Sequence, residues 1–308
     1  MEICRLALVF LFLSSLLILV SSFRHSSRAN TKKRWPPGPW AIPFVGSIHH
    51  MVTSQPQAAL RDLAEKHGPV MYLRLGQIDT VVVSSPAAAQ QVLQSNDVNF
   101  ASRQALIAAE IIGYGTLDFA FSPYGDYWRA LHKLCVLQLL SKHKHKSHID
   151  RLHYTRMVIM ETLRLHPILP LLVPHLCRKT CDIGGYEVSK GSMVGINAWA
   201  TARNPKYWDN PEEFRPTRFE NTTCDYKGSE FHYLPFGSGR RMCPVLSFGV
   251  AVLELIVARL LYYFDWSLPG KMLPEELDMD ITVGATAKRR NQLHLVATPY
   301  DVPIPFEN

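Results

Sequence analysis

The 308-residue chain carries 33 Lys and Arg against 26 Asp and Glu, a formal net charge of +7. That excess is too small to signal nucleic-acid binding, and 47% hydrophobic with 19% charged residues supports a packed core and excludes a disordered chain. No repeat is visible, which sets aside collagen-like and coiled-coil readings. A polytopic membrane protein is excluded too, because a single segment, residues 6–23, reads as apolar enough to cross a bilayer.

That segment is uncharged and rich in Leu, Val, Ile and Phe. Arg24, Arg28, Lys32, Lys33 and Arg34 follow it, whereas only Glu2 and Arg5 precede it. Positive charge stays cytoplasmic, so residues 1–23 are expected to be a retained anchor with the remainder in the cytosol. The competing reading is a cleaved secretory peptide, for which Val20, Ser21 and Ser22 supply small residues; the basic cluster on the wrong side for export argues against it. On the anchor reading the glycosylation sequon at Asn221 has no role. Residues 24–43 form a basic, Pro-rich connector with prolines at 36, 37, 39 and 43. Proline fixes φ and lacks a donor, so an extended, stiff strap is expected.

Beyond the connector, residues 58–66 read as an amphipathic helix stopped by His67, Gly68 and Pro69. Residues 70–75 and 80–84 read as a hairpin, and Pro86 opens a helix to about Gln94. Residues 101–121 are expected as loop with a helical turn, and 127–140 as helix. The run 141–156 alternates His with Lys and Arg; neighbouring lysines repel a cation, so a solvated segment is expected rather than a metal site. Residues 157–166 read as a helix ended by Pro167, followed by irregular chain with short strands to Gly191, then a turn-rich stretch at 199–219. Residues 246–264 form the longest apolar helical stretch after the anchor, and 293–304 read as terminal strand and loop.

Chemistry concentrates just before that apolar helix, in Phe236, Gly237, Ser238, Gly239, Arg240, Arg241, Met242, Cys243 and Pro244. The six cysteines (Cys4, Cys135, Cys177, Cys181, Cys224 and Cys243) are too dilute for a disulfide scaffold and are read as individual thiols. Cys243 stands apart among them. The glycines permit a tight turn, the arginines add positive charge, and the following helix presents the positive end of its dipole. All three favour a thiolate, and a thiolate there is a plausible axial iron ligand whose electron donation assists O–O cleavage. Two further groups are Glu161 with Arg164 at i,i+3, and Phe214, Arg215, Pro216, Thr217, Arg218 and Phe219. The spacing alone makes the first a surface ion pair.

Anchor, connector, Glu161-to-Arg164, the 214–219 run and the Cys243 loop occur in the order found in cytochrome P450 haem-thiolate monooxygenases, and the chain resembles the plant microsomal type. The resemblance implies a mainly α fold with small β-sheets (α+β), placed here as a P450-like domain at 44–308. It implies haem (iron protoporphyrin IX) on Cys243, shielded by Phe236 with Gly239 in the loop. Arg241, Trp128, His132 and His175 take the places of haem-propionate contacts. Glu161, Arg164 and Arg218 match a buried Glu-Arg-Arg cluster.

The chain departs from the pattern in ways that bear on activity. The stretches up to about Leu140 and from about Tyr154 are nearly adjacent, so on the order of two hundred residues are absent relative to the family, with the junction placed at 141–153. No Ala/Gly-Gly-x-Asp/Glu-Thr-Thr/Ser segment is present, so no catalytic residue is encoded for the distal, oxygen-activating side. Val245 stands where glycine is usual and is expected to overpack. His132 and His175 replace arginines, which should weaken propionate binding.

The implied function is an oxidoreductase of secondary metabolism anchored in the endoplasmic-reticulum membrane. It would insert one oxygen atom from O2 into an apolar small molecule with electrons from NADPH through NADPH–cytochrome P450 reductase. Residues 103–119 and 168–173 resemble substrate-contacting stretches and suggest a terpenoid-like or phenolic ligand. Its partners are that substrate, the reductase and membrane lipid, with no nucleic acid. The alternatives are a haem-binding remnant without catalysis or two distant coding segments wrongly joined, and, from another class, a secreted glycosylated structural protein.

Overall fold

The structure is a computed structural model, and it describes residues 14–15, 34–104, 110, 118–135, 153–283 and 286–299. Apart from the helical Ser14 and Ser15, the expected anchor lies outside these residues, as do the basic run at 24–33 and the proposed junction up to residue 152.

After the connector comes α1 (Pro56–His67), stopped at Gly68. It is followed by the hairpin β1 (Val70–Leu75) and β2 (Ile78–Val83), whose register pairs Val70 with Val83 and Leu75 with Ile78. Helix α2 (Pro86–Gln90) starts on a Ser85 side-chain cap and continues through a wider turn at Gln91–Ser95. Helix α3 (Asp126–Leu134) and helix α4 (His153–Leu165) come next. The start of α4 corrects the sequence expectation: His153 to Arg156, read as part of a solvated run, form its first turn. Strands β3 (His175–Leu176), β4 (Cys181–Ile183), β5 (Tyr186–Val188) and β6 (Met193–Ile196) precede the short α5 (Ala198–Thr201). The chain ends with α6 (Leu246–Tyr263), β7 (Phe264–Ser267), β8 (Ile281–Val283), β9 (Ala287–Arg289) and β10 (Val296–Pro299).

The main sheet runs β1-β2-β6-β3, with β6 parallel to β2 and the other neighbours antiparallel. Alternation along the strands sends Val70, Val81 and Val83 to one face, where α2 and the β4–β5 hairpin cover them. Met71, Leu73 and Val82 point to the other face, against Leu60 of α1. The connector joins this sheet: Tyr72 N donates to Pro37 O at 2.7 Å. A Cβ on Gly38 would lie 1.9 Å from Tyr72 O, so only glycine lets the strap lie that close.

A second core gathers Met157, Met160 and Leu163 of α4 with Trp208, Phe219, Tyr233 and the first turns of α6. Helix α6 is apolar nearly all round, which ordinarily marks a helix enclosed by protein. Here its outer face is open, with Phe248 and Ile256 about half exposed. Residues Leu246–Tyr263 are thus a second stretch long and apolar enough to cross a membrane by length and composition, which corrects the expectation of a single one.

Candidate functional site

Glu161 and Arg164 sit one turn apart on α4 and are both fully buried. Arg164 grips the carboxylate with two prongs, Nε to Oε2 at 2.8 Å and Nη2 to Oε1 at 2.9 Å. Its remaining donors reach the carbonyls of Ala202, Pro211 and Glu213. Arg218, at the end of the 3₁₀ turn Pro216–Phe219, donates from Nε to the same Oε1 at 2.9 Å, and the Arg215 amide adds a fourth donor at 2.8 Å. The structure therefore joins residues that spacing alone read as a surface pair. Burial pushes the Glu161 carboxyl up, but the hydrogen bonds from Arg164, the Arg215 amide and Arg218 outweigh it and hold the group below the usual carboxylate range.

The Cys243 loop packs against the Gln91–Ser95 turn that follows α2. Gly239 has φ +69°, and a Cβ there would lie 2.0 Å from Leu93 O, so glycine is needed on both counts. Cys243 N donates to Phe236 O at 3.0 Å, closing the loop, and Phe236 packs edge-on against Tyr226. Cys243 is partly exposed and precedes α6, whose first turn is one turn of chain away. The two arginines are engaged elsewhere: Arg240 pairs with Asp97 at 2.8 Å, and Arg241 reaches the Ala101 carbonyl and the Trp128 ring of α3. The tight turn and the following helix stand where the sequence placed them. Val245 adopts φ −84°, ψ 0° and is more than a third exposed. This right-handed conformation suits any residue, so the backbone here does not itself call for glycine.

Arg241 stacks 4.3 Å over the Trp128 ring and donates to the carbonyls of Ala101, Ser122 and, at 3.5 Å, Phe119. The Trp128 indole donates to Phe119 O as well, at 3.1 Å. His132 stacks on Phe119 and Trp128, and burial followed by the Arg241 charge lowers its pKa. His175 is buried, donates from Nδ1 to Phe100 O at 2.7 Å, and is pushed down to about 3 by burial and by the charges of Arg103 and Arg241. Arg103, read from sequence only as the edge of a substrate-contacting stretch, proves to be a member of this group. It donates to the carbonyls of Val173 and Pro174, tying residues 103 and 168–173 together. The signal available in the sequence was a lone cation entering an apolar run.

Arg103 is lowered to about 9 and Arg241 to about 10, in both cases chiefly by burial. The Arg241 charge adds to the shift at Arg103, while Asp118 opposes it at Arg241. Arg103 Nε is buried without a partner among the described residues. Two guanidiniums and two neutral imidazoles thus converge with one nearby carboxylate between them. Such a donor set fits a group bearing two carboxylates, as haem does, and the free thiol of Cys243 two residues beyond Arg241 fits its iron. Among the described residues no cluster of His, Cys, Asp and Glu is arranged to hold a bare metal ion.

A mainly α fold with small sheets, a buried Glu-Arg-Arg lock and a glycine-turned cysteine before a long helix define the haem-thiolate oxygenase class. A family model described as Cytochrome P450 matches residues 36–149 and 142–294, and the chain belongs to that family, whose cofactor is haem and whose members are monooxygenases. It is 34% identical to Cytochrome P450 CYP99A1 of Sorghum bicolor, covering 94% of this chain and 98% of that one. It is 36% identical to the 9-beta-pimara-7,15-diene oxidase of Oryza sativa subsp. japonica, over 89% and 93% of the two chains. A solved zebra fish cytochrome P450 with abiraterone superposes with TM-score 0.69 at 18% identity, over 81% of this chain and all of that one, and shares the fold.

Proposed function

We propose that this chain is a shortened haem-thiolate monooxygenase-type protein that keeps the proximal side of the haem site and lacks the segment that activates oxygen. The carrying observation is the arrangement of Cys243 in its glycine turn beside the Arg103–Arg241–His132–His175 group, a thiol next to an under-neutralised basic cluster. Cys243 would be the axial ligand and Phe236 its shield. Arg241, Arg103, Trp128 and His132 would hold the propionates, exchanging backbone carbonyls for carboxylate oxygens. Haem bound in that way supplies the iron at which the family activates oxygen. The alignment with the Sorghum relative runs over 508 positions, so about two hundred of them carry no residue of this 308-residue chain. The two matched parts of the family model meet at residues 142–149, which supports the junction at 141–153. With no Ala/Gly-Gly-x-Asp/Glu-Thr-Thr/Ser segment encoded, no side chain is supplied to pass protons to the distal side.

The substrate class we infer is an apolar diene-type hydrocarbon, since one relative is named for a diene and residues 168–173 are apolar. Residues 6–23 followed by a basic cluster support an endoplasmic-reticulum anchor, with NADPH–cytochrome P450 reductase as the electron donor. Reduced-CO difference spectroscopy on the purified chain tests the site: a thiolate-type Soret band that vanishes in Cys243→Ser is expected. A band unchanged by that substitution overturns the assignment. Supplied with reductase and NADPH, the same chain is expected to place no label from isotopic dioxygen in a diene product, and labelled product would show that the gap is not disabling. Deleting residues 1–34 should move the chain from the membrane pellet to the supernatant, and persistent flotation with lipid would place the membrane affinity elsewhere.

A further inference from the structure

We propose that Cys224, with His232 as its base, is a nucleophilic modification site that adds neutral α,β-unsaturated carbonyl compounds and is separate from the Cys243 loop. Cys224 Sγ lies 3.4 Å from His232 Nε2, and the other ring nitrogen, Nδ1, lies 3.7 Å from a Glu230 carboxylate oxygen. Sulfur, imidazole and carboxylate therefore stand in the order of a base-assisted nucleophile. The neighbours choose the tautomer. The carboxylate favours the proton on Nδ1, so Nε2 keeps its lone pair and the Cys224 thiol donates to it.

Both partners are held in place. The His232 ring stacks on Tyr207 with centroids 5.2 Å apart and planes within 8°, and Trp208 meets it at 65° and 5.2 Å. The Trp208 indole donates to His232 O at 3.3 Å, which fixes the backbone beneath the ring. Across from it, the Cys224 amide donates to Thr222 Oγ1 at 3.1 Å. Cys224 packs against the second core, the one holding Trp208, Tyr226 and Tyr233, yet stays partly open beside the exposed Asn221, Thr222 and Thr223. A small molecule can approach it over that loop.

The surroundings select the reactant. Burial pushes the Cys224 thiol up, with Glu230 and Asp225 adding to the rise, and burial lowers His232 against the pull of Glu230. The resting pair is thus thiol and neutral imidazole, whereas redox-sensing cysteines are low-pKa thiolates. Of the other groups around the pair, Lys227 neutralises Asp225 at 3.5 Å, Lys206 lies 5.8 Å from the Tyr207 ring, and burial raises Tyr226 and Tyr233 above the usual phenol range. Glu230 repels an anionic reactant such as glutathione disulfide, and the aromatic wall suits an uncharged one. In the addition, sulfur attacks the β-carbon, and the S–C bond forms as the C=C π pair moves to the carbonyl as an enolate. The thiol proton passes to His232 Nε2 and from there to the α-carbon, with Glu230 steadying the transient imidazolium. Nothing leaves and nothing is oxidised.

Acrylamide labelling of the purified full chain tests this, because tryptic peptides 219–227 and 134–142 report Cys224 and the partly exposed Cys135 separately. An unassisted thiol slows about tenfold per pH unit below its pKa. Between about pH 8 and pH 6.5, Cys135 should therefore slow more than tenfold, and Cys224 less than about threefold, since its base stays neutral. His232→Gln should give Cys224 the steep profile of Cys135. Glu230→Gln alters a side chain that is 40% exposed, so it should leave urea unfolding unchanged while slowing Cys224 severalfold, and it decides the matter if His232→Gln does not fold. A wild-type Cys224 profile as steep as that of Cys135 overturns the proposal, as does a folded Glu230→Gln chain whose Cys224 reacts at the wild-type rate.

Discussion

Arg164 and Arg241 each bring a guanidinium to several backbone carbonyls, yet only Arg164 also meets a carboxylate. Around Arg164 every strong donor has an acceptor within the chain, and Glu161 receives four hydrogen bonds. Around Arg241 the neighbours are Arg103, His132 and His175, and burial together with mutual repulsion lowers the proton affinity of all of them. The first cluster is complete without a ligand and holds α4 to the 209–218 loop. The second keeps its geometry by borrowing carbonyls and gains most from an anionic group. On the proposed function, one lock serves folding and the other binding.

That contrast predicts opposite responses to the same change. Arg164→Met leaves Glu161 buried with Arg218 as its remaining charged partner, and breaking a buried pair in this way costs about 3–5 kcal/mol. The chain should then unfold at much lower denaturant, or fail to accumulate folded. Arg241→Met should perturb the haem-free chain far less while weakening haem retention roughly tenfold, about 1.4 kcal/mol, as read by titration with haemin. Equal losses of stability in the two variants would erase the distinction.

Acid sharpens the same comparison. His175 has its pKa lowered from 6.5 to about 3, so the unfolded chain takes up a proton that the folded chain refuses. Its stabilising contribution is present above 6.5 and is lost as pH falls toward 3, with a slope approaching 1.4 kcal/mol per pH unit. Glu161, also lowered, contributes stability that is present above its unfolded value of 4.5 and lost below it. The interval between 6.5 and 4.5 thus reads the histidines rather than the lock. His132, His166 and His232 share the sign, and replacing the fully buried His175 with Gln should flatten the slope most in urea titrations over that interval.

How far the sequence carried these features depended on whether the information was local. The β1–β2 hairpin, α1 and α6 were legible because turn residues and hydrophobic period are written within each segment. Strand β6 was missed: Met193, Val194, Gly195 and Ile196 are too few to show a period, and only pairing with β2 and β3 makes them a strand. Strand β7 was missed: its first residue, Phe264, continues the apolar run and was read as the end of α6, and only pairing with β10 reveals the strand. Met157 was taken as the start of α4 because His153 and Arg156 read as solvated; Arg156 in fact lies 3.7 Å from Glu254 of α6. In the site, the Cys243 loop announced itself by composition. Glu161 and Arg218, 57 positions apart, came together only through family resemblance, and Arg103 escaped even that.

The smallest effect is expected at Val245, the residue before α6. Its φ of −84° needs no glycine and its side chain is 38% exposed, so Val245→Gly removes little packing and adds some backbone freedom. The unfolding free energy of the haem-free chain should change by less than about 1 kcal/mol. The haem-loaded chain differs, because Val245 lies two residues beyond Cys243, on the stretch a porphyrin held by that sulfur must approach. A branched side chain keeps the backbone off the macrocycle, and glycine lets it come nearer. Haem occupancy after purification should therefore rise in Val245→Gly. Equal or lower occupancy in a variant that unfolds like wild type would show that Val245 stands clear of the ligand, and that the basic cluster alone sets how tightly the anion is held.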